Sequence, residues 1–312
     1  MVTSNFTFLS NDGKTKVHAV KWKPDSGEYY AILQISHGMV EYIERYVPFA
    51  EYLTSRGYMI VGHDHIGHGA SVVSQKDWGY FCEGNPSDIL VADMHKLRSL
   101  IQEENANIPY FILGHSMGSF LLRKYLAFYH ENLNGAIIMG TGFIPPGMTK
   151  LALKLTNLVG YIRGTHYRSK FISNLTFGAS YKGFDMSGTQ PEKSWLTKDI
   201  EIVKKYYNEP RCTFLFTLNG YKGLFEAVDF SCNIENIKTL PKRLPILIVS
   251  GKDDPVGDMG IGVEKVYQMF QDADLEDVVC KLYENDRHEI LNETDREQVF
   301  EDIFVWLQNR LR

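Results

Sequence analysis

The sequence predicts an α/β chain, a mostly parallel central sheet flanked by helices, with an inserted helical cap. Three observations predict it. Short, almost wholly apolar runs at 29–35, 58–62, 110–113 and 245–251 alternate with stretches of helical spacing. Strands covered on both faces read this way, and repeated alternation is the pattern of a parallel, doubly wound sheet. From 144 to 240 the alternation stops and only helical spacing remains. Finally, 312 residues with 44% hydrophobic content are enough to bury one large core. The expected division is a core of residues 1–143 and 241–312 and a cap of residues 144–240.

The elements follow in order. Residues 5–10 and 15–23 read as two strands joined by Asn11-Asp12-Gly13-Lys14, an antiparallel opening. The strand at 29–35 ends at Ser36-His37-Gly38-Met39. Helical spacing through Tyr46, Phe49 and Leu53 is stopped by Arg56-Gly57. The strand at 58–62 runs into His63-Asp64-His65-Ile66-Gly67-His68-Gly69. A helix over about 86–105 carries Ile89, Leu90, Met94, Leu97 and Ile101 on one face. After the strand at 110–113 come a helix over 119–129 and a strand at 135–139. In the cap, Leu151, Leu155, Leu158 and Ile162 recur at helical spacing, as do Ile200, Val203, Tyr206 and Tyr207. The strand at 245–251 is followed by a helix holding Val263, Val266, Tyr267 and Phe270, then a strand at 278–283. The last helix buries Val299, Ile303, Trp306 and Leu307, and Thr294-Asp295-Arg296-Glu297 at its start has a capping-box pattern. No repeats or low-complexity segments interrupt the chain.

A net charge of −5 and a pI near 6.1, with no cluster of basic residues standing out, argue against nucleic acid or an anionic membrane as the main partner. Residues 1–6 lack a signal-peptide pattern, and no apolar run has the length of about 18 residues that a membrane span needs. Cys82, Cys212, Cys232 and Cys280 show neither paired nor metal-like spacing. They read as reduced thiols of a cytoplasmic protein, Cys280 as part of the core.

Chemistry concentrates at Gly114-His115-Ser116-Met117-Gly118, which follows the strand at 110–113 directly and precedes a helix. Gly-x-Ser-x-Gly in that setting lets the backbone turn sharply, exposing the Ser116 hydroxyl above a helix N-terminus. A bare Gly-Ser linker is the alternative, but a serine nucleophile also needs a base and an orienting acid, and partners stand ready. Ligands bind at the carboxyl ends of strands in open α/β sheets. Asp254 lies just after one strand and His288 just after the last, so the chain order is Ser, Asp, His. Asp253 competes for the acid's role, but Pro255 stiffens the loop beside Asp254 and favours it. For the oxyanion hole, the N–H of Met117 and the N–H of Met39, in His37-Gly38-Met39, have the right places. His37 itself is expected to bond its loop together rather than to react.

These residues carry a resemblance. His37-Gly38-Met39-Val40-Glu41 with Arg45-Tyr46, Asp64-His65-Ile66-Gly67-His68-Gly69-Ala70-Ser71, Gly114-His115-Ser116-Met117-Gly118, Asp253-Asp254-Pro255-Val256-Gly257 and Arg287-His288-Glu289 together resemble the monoacylglycerol lipase and lysophospholipase branch of the α/β-hydrolases. In the cap, Trp195-Leu196-Thr197-Lys198-Asp199 and Asn208-Glu209-Pro210 resemble segments of bacterial members. The resemblance implies the α/β-hydrolase fold and ester hydrolysis through an acyl-enzyme, without a cofactor. It also implies roles for Ser116, Asp254, His288, Met39 and Met117 that agree with the reading from the residues.

His63, His65 and His68 offer a rival chemistry, His-x-His-x-x-His, near a binuclear metal-hydrolase loop. That loop wants an Asp before its third histidine, where Gly67 stands, so no metal is expected. The expected substrate is a small ester or lipid, a monoacylglycerol or lysophospholipid, with Leu151, Leu155 and Leu158 as candidate substrate-binding residues. Transient contact of the cap with a membrane surface fits such a substrate. A short-chain carboxylesterase and a non-catalytic binding protein are the alternatives. So is a proline-type aminopeptidase, for which Glu192, Asp199 and Glu209 are candidate holders of a free amine.

Overall fold

The computed structural model describes residues 1–178 and 180–311. Its strands and helices, in chain order, are β1 (Val2–Leu9), β2 (Lys16–Lys23), β3 (Ala31–Ser36), α1 (Val47–Thr54), β4 (Tyr58–His63), α2 (Pro86–Glu104), β5 (Tyr110–His115), α3 (Met117–Tyr129) and β6 (Gly135–Met139). The insertion contributes α4 (Pro146–Arg163), α5 (Lys170–Thr176), α6 (Ile200–Asn208), α7 (Leu218–Ser231) and α8 (Ile234–Ile237). Then follow β7 (Ile246–Gly251), α9 (Ile261–Asp272), β8 (Val278–Tyr283) and α10 (Arg296–Gln308). The strands form one eight-stranded sheet in the order β1-β2-β4-β3-β5-β6-β7-β8. β2 pairs antiparallel with β1 and β4, and every other neighbour pair is parallel. The mostly parallel sheet flanked by helices is the fold that the alternation of strand and helix predicts.

The all-apolar reading of the inner strands has its cause in two layers of helix. One apolar cluster joins the sheet to α2, α3 and α9 through residues such as Leu97, Leu121 and Phe270. The other joins the opposite face to α1 and α10 through Phe49, Leu53, Ile303 and Trp306. Each such fully buried side chain stabilises the fold by roughly 1.5–3 kcal/mol. α7 sits in the first cluster, with Tyr221, Phe225 and Val228 packed among the residues of α2 and α3. β8 is an edge strand and alternates, so Cys280 is half-buried against the core rather than within it.

At the last helix the capping box does not form. The helix begins at Arg296 and no side chain caps it. The carboxylate of Glu293 instead accepts from the N–H of Arg287 at 2.9 Å and that of Lys198 at 3.0 Å, so the loop before α10 is organised from Glu293.

Register brings the chemistry together. Ser36 pairs with Gly114 and His115 with Met139, so the carboxyl ends of β3, β5 and β6 finish side by side. Gly251 pairs with Tyr283, which does the same for β7 and β8. All five strands deliver their following loops to one end of the sheet, and the inserted segment covers that end.

Candidate active site

Ser116 follows β5 at φ 52° and ψ −118°, a left-handed conformation that a non-glycine residue adopts only when its surroundings force it. Two glycines make the turn possible. A Cβ on Gly118 would come within 2.0 Å of the Ser36 carbonyl oxygen, and one on Gly38 within 2.9 Å of the Ser116 Cβ. The loop carrying Met39 therefore presses directly on the serine, as close approach of an oxyanion loop requires. The N–H groups of Met39 and Met117 have no hydrogen-bond acceptor among the described residues, and both residues border the same cavity as Ser116.

The histidine and the acid meet as the chain order implies. His288 Nδ1 lies 2.9 Å from Asp254 Oδ2, both groups buried. Asp254 is held in turn. Ser250 Oγ donates to Oδ2 at 3.0 Å and the N–H of Val256 to Oδ1 at 2.8 Å. Asp253 is exposed, and its backbone N–H donates to the Asp286 carbonyl. With Asp254 fixed by two donors, Nδ1 of the imidazole is committed and Nε2 is left for the cavity.

Ser116, His288, Met39 and Met117 all line one cavity of about 820 Å³, beneath the inserted segment. Its walls are mainly apolar, among them Phe120, Phe143, Ile144, Phe177 and Phe225. Of the candidate cap residues, Leu151 borders it, but Leu155 packs half-buried against the main core and Leu158 points to solvent. The correction has a simple cause. α4 meets the cavity with its first turns, through Met148, Thr149, Leu151 and Ala152, and a helix advances 1.5 Å per residue. By Leu155 and Leu158 it has left the site. Glu192, Asp199 and Glu209 do not line the cavity either. Asp199 caps α6 and pairs with Arg296, Glu209 pairs with Arg211, and Glu192 is exposed.

Two features lay beyond sequence reasoning. The indole of Trp195 stacks on the His288 ring, centroids 5.0 Å apart and planes 28° from parallel. The segment carrying it runs along the histidine loop, where the N–H of Glu289 donates to the Leu196 carbonyl at 2.7 Å and Lys198 Nζ to Asp286 at 2.7 Å. The second is a buried charge network behind the serine. Arg45 forks onto both oxygens of Glu289 at 2.6 Å and reaches Glu41 at 2.9 Å. His115 Nδ1 lies 3.0 Å from Glu41, and its Nε2 3.3 Å from the His288 carbonyl oxygen. Burial works against charge on both Glu41 and His115. Their mutual hydrogen bond and attraction prevail, holding Glu41 below the carboxylate range and raising His115. Bidentate pairing of this kind fixes geometry, here of the Met39 loop against the His288 loop. Arg45 and Glu289 both stand in the quoted motifs, but nothing local pairs residues 244 positions apart in the chain.

His37 does tie its loop. Its Nε2 accepts the N–H of His65 at 3.0 Å. His65 Nε2 faces Ser36 Oγ at 3.0 Å, His68 Nε2 accepts the N–H of Val40 at 3.2 Å, and both ring nitrogens of His63 lack a partner among the described residues. These three histidines do not gather around one point. Among the described residues only Asp286, Glu293 and Asp295 lie close enough to share an ion, and Lys198 already holds Asp286 there.

The histidines have a different consequence. Burial pushes His63 and His68 down to about 3 and His65 well below the usual value. An unfolded chain protonates them below about 6.5, so it binds more protons than the native state and acid favours unfolding. His18 and His115, raised by their acid partners, stabilise below that pH and offset part of the effect. Each neutral histidine contributes stability that is fully present above about 6.5 and is lost progressively as the pH falls, for His63 and His68 down to about pH 3. Tm is therefore expected to fall steeply between about pH 6.5 and 4.5. A Tm that stays level across that window contradicts the neutral histidines.

The profile of the Hydrolase_4 family, described as serine aminopeptidase, S33, matches residues 27–295. A monoglyceride lipase homolog of Monkeypox virus is 27% identical over 322 aligned positions, spanning 100% of both chains. The monoacylglycerol lipase of Mycolicibacterium smegmatis is 23% identical, covering 99% of this chain and 98% of that protein. Among solved structures, a thermostable carboxyl esterase from Bacillus coagulans, in complex with glycerol, superposes with a TM-score of 0.90 at 28% identity, over the full length of both chains.

Proposed function

The chain belongs to the Hydrolase_4 family, and from that premise we propose that it is a serine hydrolase of carboxylic esters whose substrates are monoacylglycerols or lysophospholipids. The observation that carries the reading is one apolar cavity holding a strained serine, a histidine paired to a buried acid and two unengaged N–H groups. In this reading Ser116 Oγ attacks the ester carbonyl while His288 takes its proton. The N–H groups of Met39 and Met117 stabilise the oxyanion, and His288 returns the proton to the departing alcohol. Water then releases the acid from the acyl-enzyme by the same steps. Asp254 keeps the imidazole in the tautomer that presents Nε2 to the serine. No step calls for a cofactor.

Residues 144–240 serve as the cap in this account, with the acyl chain lying against Phe120, Phe143 and Phe177. The carboxylesterase of similar structure and the lipase relatives support an ester over an amide. The four cysteines are all free thiols, which suits the reducing cytoplasm. The test is a chain-length series of glycerol and p-nitrophenyl monoesters, kept below micelle formation. An apolar wall gains roughly 0.8 kcal/mol per buried methylene, so kcat/KM should climb from acetyl to medium chains, several-fold per added carbon. A flat or falling profile beyond acetyl makes the protein a short-chain esterase instead.

A further inference from the structure

The proposed base has a neighbour that a serine, histidine and acid do not by themselves require. Trp195, from the inserted segment, lies on the His288 imidazole, ring centroids 5.0 Å apart and planes 28° from parallel. The Tyr181 ring meets the indole in turn, edge-on at 5.3 Å and 71°. The backbone on either side of Trp195 is fastened to the histidine loop. Before it, the Arg287 guanidinium donates to the carbonyls of Ser194 at 2.5 Å and Glu192 at 3.0 Å. After it, the Leu196 carbonyl accepts the N–H of Glu289, and the Thr197 hydroxyl donates to the Asn292 carbonyl at 3.0 Å. Indole and imidazole are thus held in register by the two segments that carry them.

The groups facing the imidazole leave one task open. Asp254 holds Nδ1, and burial followed by the Asp254 charge raises the Tyr181 phenol well above its ordinary value, so Tyr181 stays neutral. From β5 the His115 ring lies 4.7 Å away, tilted by 38°, with its partner Glu41 at 3.0 Å. Glu289, next in the loop, is engaged by Arg45. Gly140 packs against the ring edges, where a Cβ would come within 3.1 Å of both His115 and His288. When His288 takes a proton it becomes a cation that is only 2% exposed, so water supplies little of the stabilisation it needs. An indole face supplies more. Its quadrupole attracts a cation within about 6 Å of the ring centre, and most strongly in a desolvated site.

We infer that Trp195 is a positioning residue for the base, its indole fixing the imidazole plane and stabilising the imidazolium formed in each half-reaction. The proton leaves Ser116 Oγ for Nε2 and passes to the departing alcohol. In the second half it leaves water for Nε2 and returns to Ser116 Oγ, so the stacking acts twice per turnover. The competing account is that Trp195 only fills space beside Leu196, Tyr206 and Cys212. The kinetic consequence rests on the ester-hydrolase reading, whereas a spectroscopic one needs no turnover.

The experiment compares Trp195→Leu and Trp195→Phe with the parent on a soluble p-nitrophenyl ester, from about pH 5 to 9. Leucine keeps an apolar side chain and removes the π face, and phenylalanine keeps a weaker one. W195L is expected to lower kcat about tenfold, with KM changed less than about twofold, and to move the acid limb of kcat/KM about one unit lower. The direction follows because a histidine whose cation loses a stabilising partner gives up its proton at lower pH. W195F should recover most of the loss and most of the shift. Equal losses in both variants that track their Tm, a rise in KM alone, or an unmoved acid limb overturns the inference. The second readout is fluorescence. A protonated imidazole quenches an indole stacked on it, so the emission that W195F lacks should fall in one step as His288 protonates. That step should vanish in H288Q, and its absence from the folded parent also overturns the inference. If the parent shows the step but hydrolyses no ester, the ester reading fails and the bearing of the indole on the His288 proton stands.

Discussion

Ser116→Ala is expected to lower turnover of every ester substrate by up to about a millionfold, the scale on which a nucleophile acting as one unit with its base is lost. The size follows from the geometry. Ser116 is the residue held in a left-handed turn between β5 and α3, and alanine can keep that turn, because Gly118 and Gly38 make the close approaches. The fold, the cavity and both N–H groups therefore persist, and only the attacking oxygen disappears. What remains is the residual rate that substrate binding and the oxyanion donors support. Retention of more than about one percent of activity, in protein free of parent enzyme, contradicts Ser116 as nucleophile.

Asp254→Asn should cost on the order of 10⁴ in turnover, with little change in structure. The amide keeps the shape of the carboxylate, and its oxygen, in the Oδ1 position, can still accept from the N–H of Val256. Its NH₂ then takes the Oδ2 position and faces His288 Nδ1, which turns that nitrogen into an acceptor and places the imidazole proton on Nε2, the wrong side for a base. Asp253→Asn should change turnover less than about threefold, because Asp253 is solvated and contributes only a backbone N–H to the loop. Comparable Tm values for the two variants separate a tautomer effect from a folding one. Equal sensitivity at both positions, or the larger loss at Asp253, contradicts the assignment.

The serine turn, the alternation of strand and helix along the chain and the chain order of Ser116, Asp254 and His288 are local or periodic signals, and they are legible in the sequence. A nearly all-apolar strand such as β5 can exist only under helices on both faces, so the layering followed from composition. Three things were not legible, each for a physical reason. Spacing at Leu151, Leu155, Leu158 and Ile162 identifies one apolar face of a helix but not which way it points. Here the face was taken to turn inward, whereas Thr149, Ala152 and Thr156 are the residues α4 buries. Trp195 reaches His288, and Arg45 reaches Glu289, across separations of 93 and 244 residues that only the tertiary fold closes. The capping-box pattern at Thr294 was a local preference that the fold does not use: the helix starts one residue later, at Arg296, and the N–H of Thr294 donates to Glu293 rather than to Glu297.

Reaction with a fluorophosphonate, followed by intact-mass and peptide mapping, tests the central claim most directly. These reagents need an activated serine beside an oxyanion hole, so the method reads the nucleophile, its base and the N–H donors together. The account predicts one adduct per chain, mapped to Ser116, with loss of monoester hydrolysis in proportion to labelling, and no adduct on Ser116→Ala. Labelling at another residue, or full hydrolysis by protein whose Ser116 is quantitatively modified, would contradict it.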